Sequence, residues 1–335
     1  MSIFIPYSLV QNEAAPPNRR NAWLRPLAVL ARQKKMWSPQ RLAGVLWRVA
    51  ANLGRHGRVL KVVRLPEYAD MVQGDVRFAF KYLTRGYLSR NLTVAERAAC
   101  FERHYRRLYE MLPSSFLLKI LKRDETLLQM ENCGSCYAVT LGLPRDHDKE
   151  GELSLNLVVD GQTIYVLSFT IVPGTVLRSS ADDAFLISRM QGVKGLYKQI
   201  QSATKALHDV APGAVLVAAL QGLGEALDIE AMACIRAQDQ NSYCADYDRS
   251  FRANYDDFFI ELGAEKNEAE VYLAPIPLKE KSMLQIKPGH KLRTREKREF
   301  KREIARQIEE RMRERCRGRG RTASQILLAP AAKAI

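Results

Sequence analysis

Long hydrophobic runs are missing from this chain of 335 residues, although 47% of them are apolar. No stretch is long and apolar enough to cross a membrane, so the composition points to a soluble chain with one large core or two modest ones. Cysteines are few and scattered: Cys100, Cys133, Cys136, Cys234, Cys244 and Cys316. Short, cysteine-dense disulfide scaffolds are thereby excluded, and free thiols are expected. Cys133-Gly134-Ser135-Cys136 has the spacing of half a zinc site, but no second CxxC and no HxxxH completes it. It also precedes the strand-like Tyr137–Pro144 rather than joining a strand to a helix, which is the wrong setting for thioredoxin-like chemistry. No metal is expected. A Walker loop, an HExxH and a G-x-S-x-G are absent, so nucleotide hydrolysis, zincin proteolysis and α/β-hydrolase chemistry lack their signatures. The apolar start MSIFIPYSLV has no basic segment before it and no small-residue cleavage site after it, so the expected location is cytoplasmic.

Acidic residues are almost missing from the first 65 positions, where twelve Lys/Arg face Glu13 alone. Residues 287–321 carry fifteen basic residues against six acidic ones, while residues 66–286 hold 24 against 30. A slightly acidic core is thus flanked by two basic arms, the footprint of an anionic partner such as an acidic carrier protein or an anionic lipid surface. Nucleic acid ranks behind these, because no reading motif or regular aromatic platform accompanies the charge. The expected organisation is a Trp/Arg-rich helical arm over 1–65, a helical segment over 66–130, a core over 131–286, a basic helix over 287–321 and a loose tail over 322–335.

In the first arm, Ser38-Pro39 starts a helix whose Leu42, Val45, Leu46, Val49 and Leu53 recur at three- and four-residue spacing. That pattern suits either a helix packed on a core with a solvated arginine face or an amphipathic basic helix on an anionic membrane or partner. Thr93 and Glu96 spell a capping box. His104-Tyr105, late in the following helix, reads as a packed structural pair, and Asp246-Tyr247-Asp248 as a solvated turn.

The most informative stretch is 151–195. Leu153, Leu155, Leu157 and Val159 alternate along one strand, Asp160-Gly161 supplies a positive-φ turn, and Tyr165, Leu167, Phe169 and Ile171 alternate along the next. A third strand then runs into Arg189-Met190-Gln191-Gly192-Val193-Lys194-Gly195 and a helical pattern. The order strand, strand, strand, loop, helices, strand, helix, strand predicts an α+β fold: a mixed, largely antiparallel sheet covered by helices.

The run GELSL, the LSFTI strand, the MQG loop, Thr204–His208 with Pro212, NYDDFFIELG and the basic C-terminal helix together resemble the VirK/YbjX family. KYLTRGYL and ERHYRRLYEML fit its N-terminal half, so the resemblance covers about residues 75–312. It implies a bacterial protein of the kind linked to virulence, envelope stress and resistance to antimicrobial peptides in Gram-negative bacteria, without implying a reaction.

The core pattern is also similar to the GNAT acyltransferase fold, where an Arg/Gln-x-x-Gly-x-Gly/Ala turn holds a pantetheine pyrophosphate on backbone N–H groups at a helix N-terminus. Arg189, Gln191, Gly192, Lys194 and Gly195 would bind acyl-coenzyme A or acyl carrier protein there. Lys194 stands where a small residue is expected. An amine attacking a thioester needs a proton acceptor, oxyanion donors and an acid for the leaving thiolate. His208 or Glu152 is the candidate base, and Asn241 or Tyr243 the donor or acid. The alternative is a non-enzymatic factor that binds the inner-membrane surface or an envelope-assembly partner through its arms.

Overall fold

A computed structural model describes residues 39–144 and 149–316, and the chain divides after Thr84 into two units. The tail 322–335, Trp23 and Trp37 lie outside the described residues.

The first unit is helical. Pro39 opens α1 (Pro39–Ala50), α2 follows at Leu53–Val63, and α3 (Ala69–Gly74) lies between two 3₁₀ segments, Pro66–Tyr68 and Val76–Leu83. Helix α2 buries His56, Val59, Val62 and Val63, an i, i+3, i+6, i+7 stripe. His56 stacks on Phe80 with ring centroids 5.2 Å apart, and its Nδ1 lies 3.2 Å from the Tyr82 hydroxyl.

The second unit opens with α4 (Val94–Met111) and α5 (Ser114–Lys122). The expected capping box forms: the Glu96 N–H donates to Thr93 Oγ1 at 3.3 Å and the Thr93 N–H donates to Glu96 Oε2 at 2.8 Å. An eight-stranded open sheet follows, in the order β1-β2-β3-β4-β5-β6-β8-β7. The strands are β1 (Glu125–Asn132), β2 (Ser135–Gly142), β3 (Leu153–Val159), β4 (Gln162–Pro173), β5 (Asp183–Gly192), β6 (Ala231–Ile235), β7 (Glu265–Lys266) and β8 (Val271–Pro275). All neighbours are antiparallel except β5 and β6. The α+β class holds, with one correction: residues 125–130, read as the end of a helical segment, lie in the edge strand β1.

Two-residue turns with positive φ at both positions set the register of two hairpins: Cys133 and Gly134 join β1 to β2, and Asp160 and Gly161 join β3 to β4. The CxxC is therefore mostly a hairpin turn, and among the described residues no group of three His, Cys, Asp or Glu is placed to hold a metal.

The parallel β5–β6 junction needs a crossover, supplied by α6 (Tyr197–Ala206) and α7 (Pro212–Ala226). After β6 the chain forms α8 (Asp248–Arg252), a π-turn over Ala253–Asp257 and α9 (Phe258–Glu261), and after β8 the long α10 (Lys291–Cys316). One sheet face is apolar, with Leu141, Leu155, Leu167 and Met190 in successive registers. On the other, Gly142, Ser154, Ser168 and Arg189 lie in register, and here α4 packs: the Tyr105 hydroxyl donates to Glu152, and the Ile171 N–H donates to His104 Nδ1 at 3.0 Å. Helix α7 is almost wholly buried, and α10 crosses it through Ile304, Ile308 and Met312. The crossing is close at Gly222, where a Cβ would meet the Ala305 carbonyl oxygen at 2.2 Å.

Two outcomes follow from this packing. Gly222→Val should force α10 off α7 and lower stability by about 1–3 kcal/mol in denaturant unfolding, whereas Gly57→Ala, on open surface, should not destabilise. In the first unit, burial and the Arg64 charge lower the His56 pKa below 6.5. Below pH 6.5 the unfolded chain binds a proton that the folded unit refuses, so stability should fall as pH drops through 6.5 and be fully present above it. Thermal melting from pH 8 to pH 5 should show that loss, and His56→Gln should flatten it.

Candidate functional site

The site is built where β5 leaves β6. Phe185, Leu186 and Ile187 pair with Met232, Ala233 and Cys234, and there the pairing ends. On its other side β5 carries a bulge at the same place, the register with β4 shifting between Ile187 and Arg189. Ser188, at the bulge, and Ser168, opposite Arg189, are fully buried, and among the described residues neither hydroxyl meets a hydrogen-bond partner.

Beyond the bulge, side chains bridge the two diverging strands. The Met190 N–H donates to the Tyr255 hydroxyl at 3.1 Å. Burial raises the Tyr255 pKa, so the group stays a phenol, and no acceptor for its own proton lies within hydrogen-bond distance among the described residues. Glu150, 3% exposed, makes a second bridge. Its Oε1 accepts from Gln240 Nε2 at 2.8 Å and from Ser242 Oγ at 3.0 Å, both on the loop after β6, while its Oε2 lies 3.7 Å from Arg189 Nε on β5. With the Gln191 amide oxygen turned to the guanidinium, it accepts from Arg189 at 2.9 Å. Arg189 is thus tied into the fold, its side chain 10% exposed.

The strand then ends in a turn. A Cβ on Gly192 would lie 2.6 Å from Ile200 Cδ1, so glycine lets α6 pack against the strand end beside Tyr165, whose phenol burial pushes up to about 12. Gly195 has φ +88° with open space around its Cα. Helix α6 starts with no side-chain cap at Leu196. The amides of Lys194, Gly195, Tyr197, Lys198 and Gln199 meet no acceptor among the described residues, and Lys194 and Lys198 are exposed without an ion pair there. Bare amides, two lysines and the positive end of the helix dipole favour an anion.

The structure brings Arg189, Gln191, Gly192, Lys194 and Gly195 together along this strand end and turn. Glu152 is 1% exposed and lies on the α4 side, with Tyr105 donating to it and its own N–H donating to Thr170 Oγ1 at 3.2 Å. Asn241 latches the start of the second unit: its amide donates to the Gly86 carbonyl, and Arg90 donates to the Asn241 carbonyl at 2.7 Å. The Tyr243 hydroxyl donates to Asp248 Oδ1 at 2.7 Å, which raises its pKa. His208 sits beyond the far end of α6, about 15 Å along a ten-residue helix from the turn, its ring tilted at 45° against Phe300 with centroids 4.7 Å apart. Sequence reasoning missed Glu150 and Tyr255. The legible signal for the first was a pair of carboxylates flanking Gly151 at the head of an apolar strand; for the second, none separates a buried tyrosine from its neighbours in NYDDFF.

Residues 42–310 match the family described as "Protein of unknown function (DUF535)". The chain belongs to that family. DUF535 contains VirK/YbjX, so the family-level resemblance holds at that breadth. Among curated proteins and among solved structures, nothing matches the chain.

Replacing Arg189 leaves the Glu150 carboxylate buried without its cation. Arg189→Met should cost about 3 kcal/mol in urea unfolding, and much less in a Glu150→Gln background. Equal costs in both backgrounds would show that the two side chains are not coupled.

Proposed function

We propose that this DUF535 protein is a GNAT-like acyltransferase whose donor is a phosphopantetheine thioester. The observation that carries it is the divergence of β5 from β6, because ligands of open sheets bind at the carboxyl ends of parallel strands. The topology supports the same reading. From β2 onward there are four antiparallel strands, a helical crossover, a fifth strand parallel to the fourth, and a last strand inserted between its two predecessors.

The donor phosphates sit on the amides of the Lys194–Gln199 turn, screened by Lys194 and Lys198. Arg189 acts from inside, holding Glu150 at the gap. The pantetheine arm follows the divergence toward the bulge, where the acceptor amine or hydroxyl attacks the thioester carbonyl. The carbon–sulfur bond breaks, the thiolate leaves, and the acceptor's proton passes to a carboxylate. Glu150 is assigned that role because it spans the gap between Arg189 and the Gln240–Ser242 loop, while Glu152 is enclosed by α4 and His208 lies at the other end of α6. The alternative of a membrane-surface factor rests on a different element, the first helix.

Calorimetric titration with coenzyme A, acyl-coenzyme A and acyl carrier protein tests the donor site. Lys194→Glu with Lys198→Glu should weaken binding about tenfold or more with an unchanged melting temperature, since both side chains are exposed. Glu150→Gln should retain the donor and lower transfer about 10²-fold or more. The proposal fails if no donor binds, or if binding is indifferent to the two lysines.

A further inference from the structure

Helix α1 is amphipathic, yet part of its apolar surface points outward. Ala43, Leu46, Trp47 and Ala50 fall at i, i+3, i+4 and i+7, one helical stripe, and all four are exposed. Leu46 is 54% exposed and Trp47 76%, and Leu53 at the head of α2 is 68% exposed. The other large exposed hydrophobic residues, such as Tyr197, Ile260 and Leu284, are scattered and form no comparable run. Scattered apolar residues need no explanation, whereas a contiguous stripe containing a tryptophan does.

Along the sequence, the charge on either side of the stripe is of one sign. Between Glu13 and Glu67 there is no acidic residue, and Arg48, Arg55, Arg58, Lys61 and Arg64 follow or flank the stripe. On α2 the exposed positions include Gly54, Gly57, Arg58 and Lys61, and Arg64 caps its end, exposed, so the apolar stripe of α1 is continued in sequence by a cationic face. Helix α10 is different. Arg306 pairs with Glu303 and Glu310, Arg313 with Glu309 and Arg295 with Glu299, so much of its charge is answered within the helix. Helices α1 and α2 contain no acidic residue.

We propose that α1 and α2 form a docking surface for an anionic lipid bilayer, with α1 lying in the interface. Leu46 and Trp47 enter the boundary between headgroups and acyl chains, and the arginines and Lys61 meet lipid phosphates. An apolar stripe that carries tryptophan and is edged by cations matches that boundary on both counts, with an aromatic at headgroup level and positive charge above it. A protein partner would have to supply both an apolar groove and an acidic surface. No helix in the described residues is long and apolar enough to span a membrane, and the attachment proposed for α1 is a peripheral one. This inference does not depend on the acyltransferase reading.

The test is flotation of the full chain with vesicles of phosphatidylcholine, with and without phosphatidylglycerol, at low and high salt. Binding should require the anionic lipid, fall as salt rises, and drop about tenfold or more in Leu46→Ser/Trp47→Ser. Arg58→Glu and Lys61→Glu should each lower partitioning at low salt by about fivefold. Because Leu46 and Trp47 are exposed, their variant should melt with the wild type, which separates lost docking from lost folding. A bilayer is ruled out if the protein ignores phosphatidylglycerol, if the double variant floats as the wild type does, or if light scattering finds a dimer that the double variant dissolves. That last result would assign the stripe to a second copy of the chain.

Discussion

Three residue pairs join β5 to β6, and much of the second unit is arranged around the place where they stop. A backbone that leaves its neighbour strands donors and acceptors, and buried ones must find other partners. Here the Met190 N–H turns to the Tyr255 hydroxyl, and Glu150 spans from Arg189 on one strand to Gln240 and Ser242 beyond the other. Side chains replace a ladder. A gap held open in this way differs from a frayed sheet edge, because its width is fixed by buried bonds on both sides. The Ser188 and Ser168 hydroxyls, buried without partners among the described residues, mark where that satisfaction is incomplete.

The parallel junction also dictates the layers. A crossover must return over one face, which places α7 on the apolar side of the sheet and makes it a core helix. It then needs its own cover, and α10 supplies it through Ile304, Ile308 and Met312, approaching closely enough that position 222 has no room for a side chain. The opposite face is covered by α4, and the polar residues there are tolerable because Tyr105, His104 and the strand residues bond one another. Arg189 projects to the polar side and Met190, next in the chain, to the apolar side.

Local signals were legible in proportion to how local their physics is. The β3–β4 hairpin announced itself by alternation and Asp160-Gly161, and the α4 start by Thr93 and Glu96, since turn and cap energetics involve residues a few positions apart. Strand β1 was hidden because its alternation breaks at Leu127-Leu128, where the register with β2 shifts, and both leucines are buried. The Arg189–Gly195 turn was visible as a motif, but the direction of Arg189 was not, since Glu150 comes from a segment 39 positions earlier and Gln240 from one 51 positions later. His208 looked eligible because eligibility was judged by residue type. Its distance from the turn is a consequence of helix length, and its ring is occupied by Phe300 from the far end of the chain.

The outward stripe of α1 shows the same limit from the other side. Periodicity establishes that a helix has an apolar face; it cannot say what that face meets, because burial depends on elements distant in sequence. Leu46 and Trp47 have the spacing of core residues and the exposure of surface ones. In water that combination is unfavourable by roughly 25 cal/mol for each Å² of apolar area left uncovered. It becomes favourable only beside a second apolar phase. A patch of this kind among carboxylates and cations in equal number would be compatible with many surfaces, but one whose sequence neighbours are cations alone favours phases that are apolar beneath and negative above. Lipid leaflets rich in anionic headgroups meet both conditions along a whole helix, and a shallow helix needs no deep pocket to satisfy them.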